Sequence, residues 1–395
     1  MAKVEAISVI GGGRWARVIA ETVHRLVGPT RRITLHSQHC SEAVAKWLRE
    51  KKLADSISIS AEMPSRSHAA SSAVIVANAA RDHEAATELA LNAGAPVLVE
   101  KPIAMTHRGA EDLVDLAHRT SGQLAAANVF LFARYIKRFA THLSARGEKI
   151  RSMHVRWVDP QGEFRYGEVK SYDAGLPVFK DVLPHVSAIL SALFPGTEQT
   201  VRDLHFFRGG AQLEIEIEVN GIPCNVMLAR NGDKRERSIT ATLKKDSVHL
   251  DFATEPGIIG DAGSIRDADP HWHTRSRPLA SMLHSFLRWA EESRFDARLS
   301  TEPAVCACAL MDQVSVLYNR HFISWLKSPV RLADDAQYLS YAAEEILLAE
   351  GHLEPVVLER YRSRLLSNDR EFIAQLVMSN QRRALLDQSY LESRK

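Results

Sequence analysis

The chain has no apolar run approaching the ~18 residues that a membrane-spanning helix requires, so nothing in the sequence places it in a bilayer. It has little charge imbalance: 50 Lys and Arg stand against 48 Asp and Glu, a formal net charge of +2. A nucleic-acid partner leaves a strongly basic footprint, and that class is set aside. Cysteine is scarce. Cys40, Cys224, Cys306 and Cys308 are irregularly spaced and make neither a disulfide framework nor a metal-ligand spacing. The first residues, Met1 to Gly13, contain no charged region followed by a long apolar stretch. No signal peptide is read there, and cytoplasm is the default compartment. Internal repeats and low-complexity segments are absent as well. What is present is an ordinary globular composition, 45% hydrophobic and 25% charged over 395 residues. At roughly 100–200 residues per domain, that length holds two domains or slightly more.

The N-terminal third alternates short apolar runs with helical patterns. Strands are expected at Ala6–Ile10, Arg32–Leu35, Ser56–Ser60, Ala73–Ala77, Pro96–Val99 and Leu124–Val129. Helices are expected at Trp15–Val27, Ser41–Lys51 with Ser41 as cap, Arg81–Ala93 and Thr106–Thr120. Such alternation predicts an α/β doubly wound parallel sheet with helices on both faces. After Arg134 the rhythm changes. A strand is expected at Ile150–Val158, a helix from about Val182 to Phe194, and five further strand-like runs between Thr200 and Phe252. Within them Leu213–Val219 alternates apolar and acidic residues. This predicts an α+β region whose largely antiparallel sheet leaves one face open to solvent or to a second subunit. Long helices are expected at about Leu279–Glu292 and Glu302–Tyr318. The sequence therefore divides into a dinucleotide-binding Rossmann domain at 1–128, a substrate-binding and oligomerisation domain at 129–330, and a charged helical extension at 331–395.

Gly11-Gly12-Gly13-Arg14-Trp15-Ala16 fits G-x-G-x-x-G/A between a strand and a helix, the context that motif requires. Gly11 permits the tight turn and Gly13 the approach of backbone to a pyrophosphate. Ala16 permits close packing of helix on strand. The helix N-terminus supplies N–H groups to the phosphates, beside Arg14 and Trp15. The second strand ordinarily ends in Asp or Glu when NAD is the cofactor. Here it runs into His36-Ser37-Gln38-His39 with no acid. Ser37, Gln38, His39 and Arg14 offer donors to a 2′-phosphate instead, so NADP is favoured over NAD.

Val97-Leu98-Val99-Glu100-Lys101-Pro102, placed after that turn, resembles the glucose–fructose oxidoreductase and inositol dehydrogenase family (Gfo/Idh/MocA). Val74–Asn78 with His83, the segment Asn128 with Arg134 and Tyr135, and the D-x-x-x-H pattern of Asp181 and His185 follow in that family's order. The resemblance covers about residues 6–195 in its motifs. It departs where paired glycines before the Asp are reduced to Gly175, and where Pro184 directly precedes the His. It implies an NAD(P)-dependent oxidoreductase with Lys101, His185 and Asp181 as catalytic groups and a cis bond at Pro102. Asn78, His83, Glu100, Lys101, Pro102 and Asn128 would lie along the cofactor. Lys101 would stabilise developing negative charge, and His185 titrates where it can give or take the proton that accompanies hydride transfer. On the residues alone, Asp181 also reads as a helix N-cap with Pro184 in the first turn.

Arg134, Tyr166, Tyr172 and Lys180 are the candidate substrate-binding residues, since polar and aromatic groups suit a sugar, cyclitol or related polar metabolite. His271-Trp272-His273 reads as a surface loop, and Cys306-x-Cys308 as helical core, so no metal site is expected. Apolar positions at helical spacing in 331–395 suggest packing on the core or a second subunit, with docking of a carrier or partner protein as the other use. A dimer or tetramer is expected. Two other activities stay open: reduction of an imine, and a non-catalytic NAD(P)-binding regulator.

Overall fold

The protein is described as a computed structural model covering residues 4–160, 163–165, 168–169, 176–326 and 328. Six short strands form the first sheet: β1 (Ala6–Ile10), β2 (Arg32–His36), β3 (Ile57–Ser60), β4 (Ser72–Val76), β5 (Val97–Val99) and β6 (Leu124–Ala126). They are all parallel, in the order β3-β2-β1-β4-β5-β6. β1 and β4 are buried at every position, as expected for strands covered on both faces. The helices between them are α1 (Arg14–Val27), α2 (Ser41–Glu50), α3 (Arg66–Ala70), α4 (His83–Asn92) and α5 (His107–Arg119). This is the doubly wound arrangement, and its strand order reverses between β1 and β4. In open α/β sheets, ligands bind outside the carboxyl ends of the strands at that switch point. The expected cap at Ser41 is corrected: Ser41 is already helical, and Cys40 holds the cap position without a capping hydrogen bond from its own side chain.

From α6 (Arg134–Arg146) the chain enters a second sheet at β7 (Ser152–Pro160), then forms a separate two-stranded hairpin, β8 (Phe164–Arg165) and β9 (Glu168–Val169), and helix α7 (Val178–Leu193). It continues through β10 (Gln199–Phe207), β11 (Gln212–Val219), β12 (Ile222–Gly232), β13 (Glu236–Thr242), β14 (Ser247–Asp251), β15 (Ile258–Asp261) and β16 (Ser264–Asp267). The eight-stranded order is β10-β11-β12-β7-β13-β14-β15-β16, antiparallel except where β12 runs parallel to β7. The last two strands, β15 and β16, escape the sequence pattern because they are four residues long and β16 is exposed throughout. Inward residues of β11, such as Leu213, Ile215 and Ile217, are buried while Glu216 is exposed. The acidic alternation therefore marks a face that no described element of the chain covers.

Two helices follow, α8 (Pro278–Glu292) and α9 (Glu302–Leu326). α8 returns to the first sheet. Its Met282, Leu283 and Phe286 share one core with Ile7, Val9 and Ile19. α9 lies between the sheets, and Met311 and Val314 join Val76 and Val97 of the first to Val155 and Ile215 of the second. Cys308 is fully buried in that core, whereas Cys306 is exposed. Residues two apart on a helix do not share a face, which corrects the expectation that both cysteines are core. Of the His271–His273 loop, Trp272 is buried under the Arg277 guanidinium. Among the described residues no helix is long and apolar enough to cross a membrane. The expected extension at 331–395 lies outside the described residues.

Candidate active site

β1 ends at Ile10 and the chain turns at Gly11, whose φ is +138°. A Cβ there would sit 2.4 Å from the Ala77 carbonyl oxygen, so only glycine fits. Gly12 is held as tightly: its Cβ would lie 2.0 Å from Ser37 Oγ. Gly13 is open, with nothing within 4 Å of its Cβ position. It stands at the N-cap of α1 with no side-chain hydrogen bond to the cap and no acid in the first turn. The first N–H groups and the positive end of the helix are thus presented through a glycine to whatever anion approaches. This cradle fits a dinucleotide pyrophosphate.

At the adenosine end, His36 is buried and its Nδ1 lies 2.8 Å from the Glu62 carbonyl oxygen. Ser37 is buried beneath Gly12 and accepts from the Cys40 N–H at 3.3 Å. Of the donors read in the sequence, Gln38 and His39 are the exposed ones. Arg14 begins α1 and donates to the Arg165 carbonyl at 3.4 Å.

At the exits of β4 and β5, five of the expected residues form one linkage. The peptide Lys101-Pro102 is cis. His83, buried, lies with Nδ1 2.7 Å from the Pro102 carbonyl and Nε2 3.3 Å from that of Asn78. Burial holds its imidazole below the ordinary value. Glu100 is buried too, accepting from the Trp15 side chain and from the Lys101 N–H at 3.2 Å, and burial pushes its carboxyl up.

Lys101 then reaches across to the second region. Its Nζ lies 2.5 Å from Asp181 Oδ1 and donates to the Asp181 carbonyl at 2.8 Å. α7 begins at Val178, four residues before the expected start, with Pro177 at its cap. The apolar Val178 and Phe179 are fully buried and draw the first turn into the core. Asp181 is therefore a first-turn residue and not the N-cap, and Pro184 sits inside the helix. One turn on, His185 stacks on Trp157 with centroids 5.4 Å apart and planes at 17°, and meets the edge of Phe130 at 5.1 Å. The Arg237 guanidinium lies over the same indole at 4.0 Å.

Other expected residues point elsewhere. Arg134 pairs with Asp269 at 2.8 Å and donates to the Ser276 carbonyl, tying α6 to the 269–276 loop. Asn128 donates to the Ser300 carbonyl at 3.1 Å. Lys180 lies in the first turn of α7, directly before Asp181. Tyr166 and Tyr172 lie outside the described residues. The residues that sequence reasoning missed are Trp157, Phe130 and Arg230. Arg230 is buried, and its guanidinium stands 3.2 Å from Asp181 Oδ2. A signal was present for it: Ile222, Cys224, Val226 and Leu228 point inward from β12, and Arg230 takes the next inward position.

Residues 6–128 match the sequence model of a family described as an oxidoreductase family with NAD-binding Rossmann fold (GFO_IDH_MocA). Among solved structures, the chain is similar to UDP-N-acetylglucosamine 3-dehydrogenase GnnA from Acidithiobacillus ferrooxidans. That likeness has a TM-score of 0.59 and 18% identity, and covers 79% of this chain and 97% of that one. It is similar also to KijD10, a 3-ketoreductase from Actinomadura kijaniata in complex with TDP-benzene and NADP. There the TM-score is 0.62 and the identity 16%, over 78% of this chain and 96% of that one. An oxidoreductase from Pseudomonas syringae aligns with a TM-score of 0.61 at 14% identity over 81% and 98% of the two chains. Comparison with curated protein sequences gives no match. Residues 6–128 therefore match the NAD-binding Rossmann domain of this oxidoreductase family.

Proposed function

We propose that the enzyme moves a hydride between a nicotinamide cofactor and an alcohol/carbonyl pair on a sugar or related polar metabolite. The observation that carries this reading is the 2.5 Å contact between Lys101, at the exit of the parallel sheet, and Asp181, on the first turn of α7. It sets a cation and a carboxylate where the two sheets meet, with His185 one helical turn away. A bound nicotinamide would supply or accept the hydride. The protein's own groups do the rest. An ammonium carries three donors; with two given to Asp181, one remains for the reacting oxygen of the substrate. There it stabilises the negative charge that develops during reduction. His185, held against the Trp157 and Phe130 rings, is the imidazole that would give or take the proton.

GnnA is named for a nucleotide sugar, UDP-N-acetylglucosamine, and KijD10 is a 3-ketoreductase solved with TDP-benzene and NADP, which supports a sugar, carried on a nucleotide, as the first substrate class to try. NADP is the preferred cofactor on this reading, because the stretch His36–His39 has no carboxylate to repel a 2′-phosphate. The test follows reduced nicotinamide by absorbance, using NAD and NADP against UDP-sugars, TDP-sugars, free sugars, inositols and cyclic imines. Turnover of a sugar with tighter binding of NADP is the expected result. Turnover confined to imines, or tighter binding of NAD, would overturn the corresponding half of the proposal.

A further inference from the structure

We infer that Arg230 is a positioning residue for Lys101, acting through the carboxylate of Asp181. The inference rests on the catalytic reading of Lys101 given above. Arg230 occupies the last inward position of β12, with a relative exposure of 4%. A guanidinium buried this far is costly unless charge and hydrogen bonds compensate it. Its Nη1 donates to the Leu176 carbonyl at 2.6 Å, and its Nη2 lies 3.2 Å from Asp181 Oδ2. Leu176 stands two residues before α7 and Asp181 on its first turn. One guanidinium therefore grips both the approach to the helix and the carboxylate upon it.

Asp181 divides its two oxygens between two cations. Oδ1 faces Lys101 and Oδ2 faces Arg230. This fixes the plane of the carboxylate, and with it the direction from which the ammonium is held. Lys101 also acts on Glu100, beside it, and on His83, on α4. With Arg230 gone, the carboxylate would be left to Lys101, bind it more closely, and hold its proton more firmly.

The readout is the rate at which a small acylating reagent modifies Lys101 in the full-length protein at fixed alkaline pH, measured by mass spectrometry against exposed lysines such as Lys46. Loss of a neighbouring like charge moves a protonation equilibrium by about one unit or more. Arg230→Met is therefore expected to slow acylation of Lys101 by about tenfold, and Arg230→Lys to stay within about twofold of the parent. Asp181→Asn is expected to speed it. A merely structural role predicts the opposite sign for Arg230→Met, since a loosened site exposes the lysine. Arg230→Gln, which keeps a donor for the Leu176 carbonyl, replaces Arg230→Met should that variant not fold. An unchanged or faster acylation rate in a variant that still binds NADP overturns the inference. Its failure is separable from that of the catalytic reading: Lys101→Ala with full turnover refutes the latter alone, and an unmoved acylation rate beside an inactive Lys101→Ala refutes only the role of Arg230.

Discussion

Lys101 and His185 differ in what each can give the reaction, and that difference sets the expected losses. A positioned proton donor contributes about 10²–10⁴-fold, so His185→Ala should lower turnover by that order while NADP affinity stays nearly constant. Lys101→Ala should be at least as damaging, because charge stabilisation and substrate orientation go together. The check is steady-state turnover beside cofactor titration of each variant. Near-normal turnover in His185→Ala would return the D-x-x-x-H pattern to a structural role. His83 makes a different prediction, about pH. Its imidazole is held below the ordinary value of 6.5 by burial. At pH above that value both folded and unfolded chains carry it neutral, and it costs nothing. As pH falls below it, the unfolded chain binds a proton that the folded chain resists, so stability is lost on acidification. Urea midpoints at about pH 7.5 and about pH 5.5 should therefore fall further apart in the parent than in His83→Gln. Equal differences would remove His83 from the acid response.

The Gly-rich turn was legible in the sequence down to its ligand class, because its chemistry is local: glycine positions, a strand before and a helix after. What it did not reveal was the division of labour. Gly12 rests against Ser37, a residue of the next strand's exit, and such a contact depends on parallel pairing that spacing does not encode. Gly12→Ala should consequently displace Ser37 or the turn itself and cost NADP affinity at least tenfold, whereas Gly13→Ala meets no atom within 4 Å. Dissociation constants for the two variants test this; equal losses would place the constraint in the ligand and not in the packing. The burial of Ser37 also decides where an acid should be introduced to turn the enzyme toward NAD. Gln38 is exposed, and Gln38→Asp should weaken NADP more than NAD through repulsion of the 2′-phosphate. The start of α7 was misread for a related reason. Asp181 and Pro184 carry the local marks of a helix beginning, but burial of Val178 and Phe179 extends the helix upstream. Trp157 and Arg230 reach the site from strands whose register with α7 no motif records.

At the scale of the molecule, the two sheets are joined by what comes last in the described chain. The sequence reading ends the dinucleotide-binding domain at residue 128, yet α8 packs back on α1 and β1, and α9 bridges both sheets in one core. Phe286 of α8 is fully buried among residues of the first sheet and its helices. Removing a buried phenyl ring leaves a cavity and costs about 3–5 kcal/mol. Were the first sheet an independent unit, Phe286→Ala would lower one of two thermal transitions and leave the other in place. With the core continuous through α9, the variant should instead lower a single transition as a whole. NADP should raise that transition in both proteins by binding only the folded state. Differential scanning calorimetry of the parent and of Phe286→Ala, with and without NADP, distinguishes the two. Two separate transitions, of which NADP moves only one, would mean that α8 and α9 link the sheets without coupling their stability.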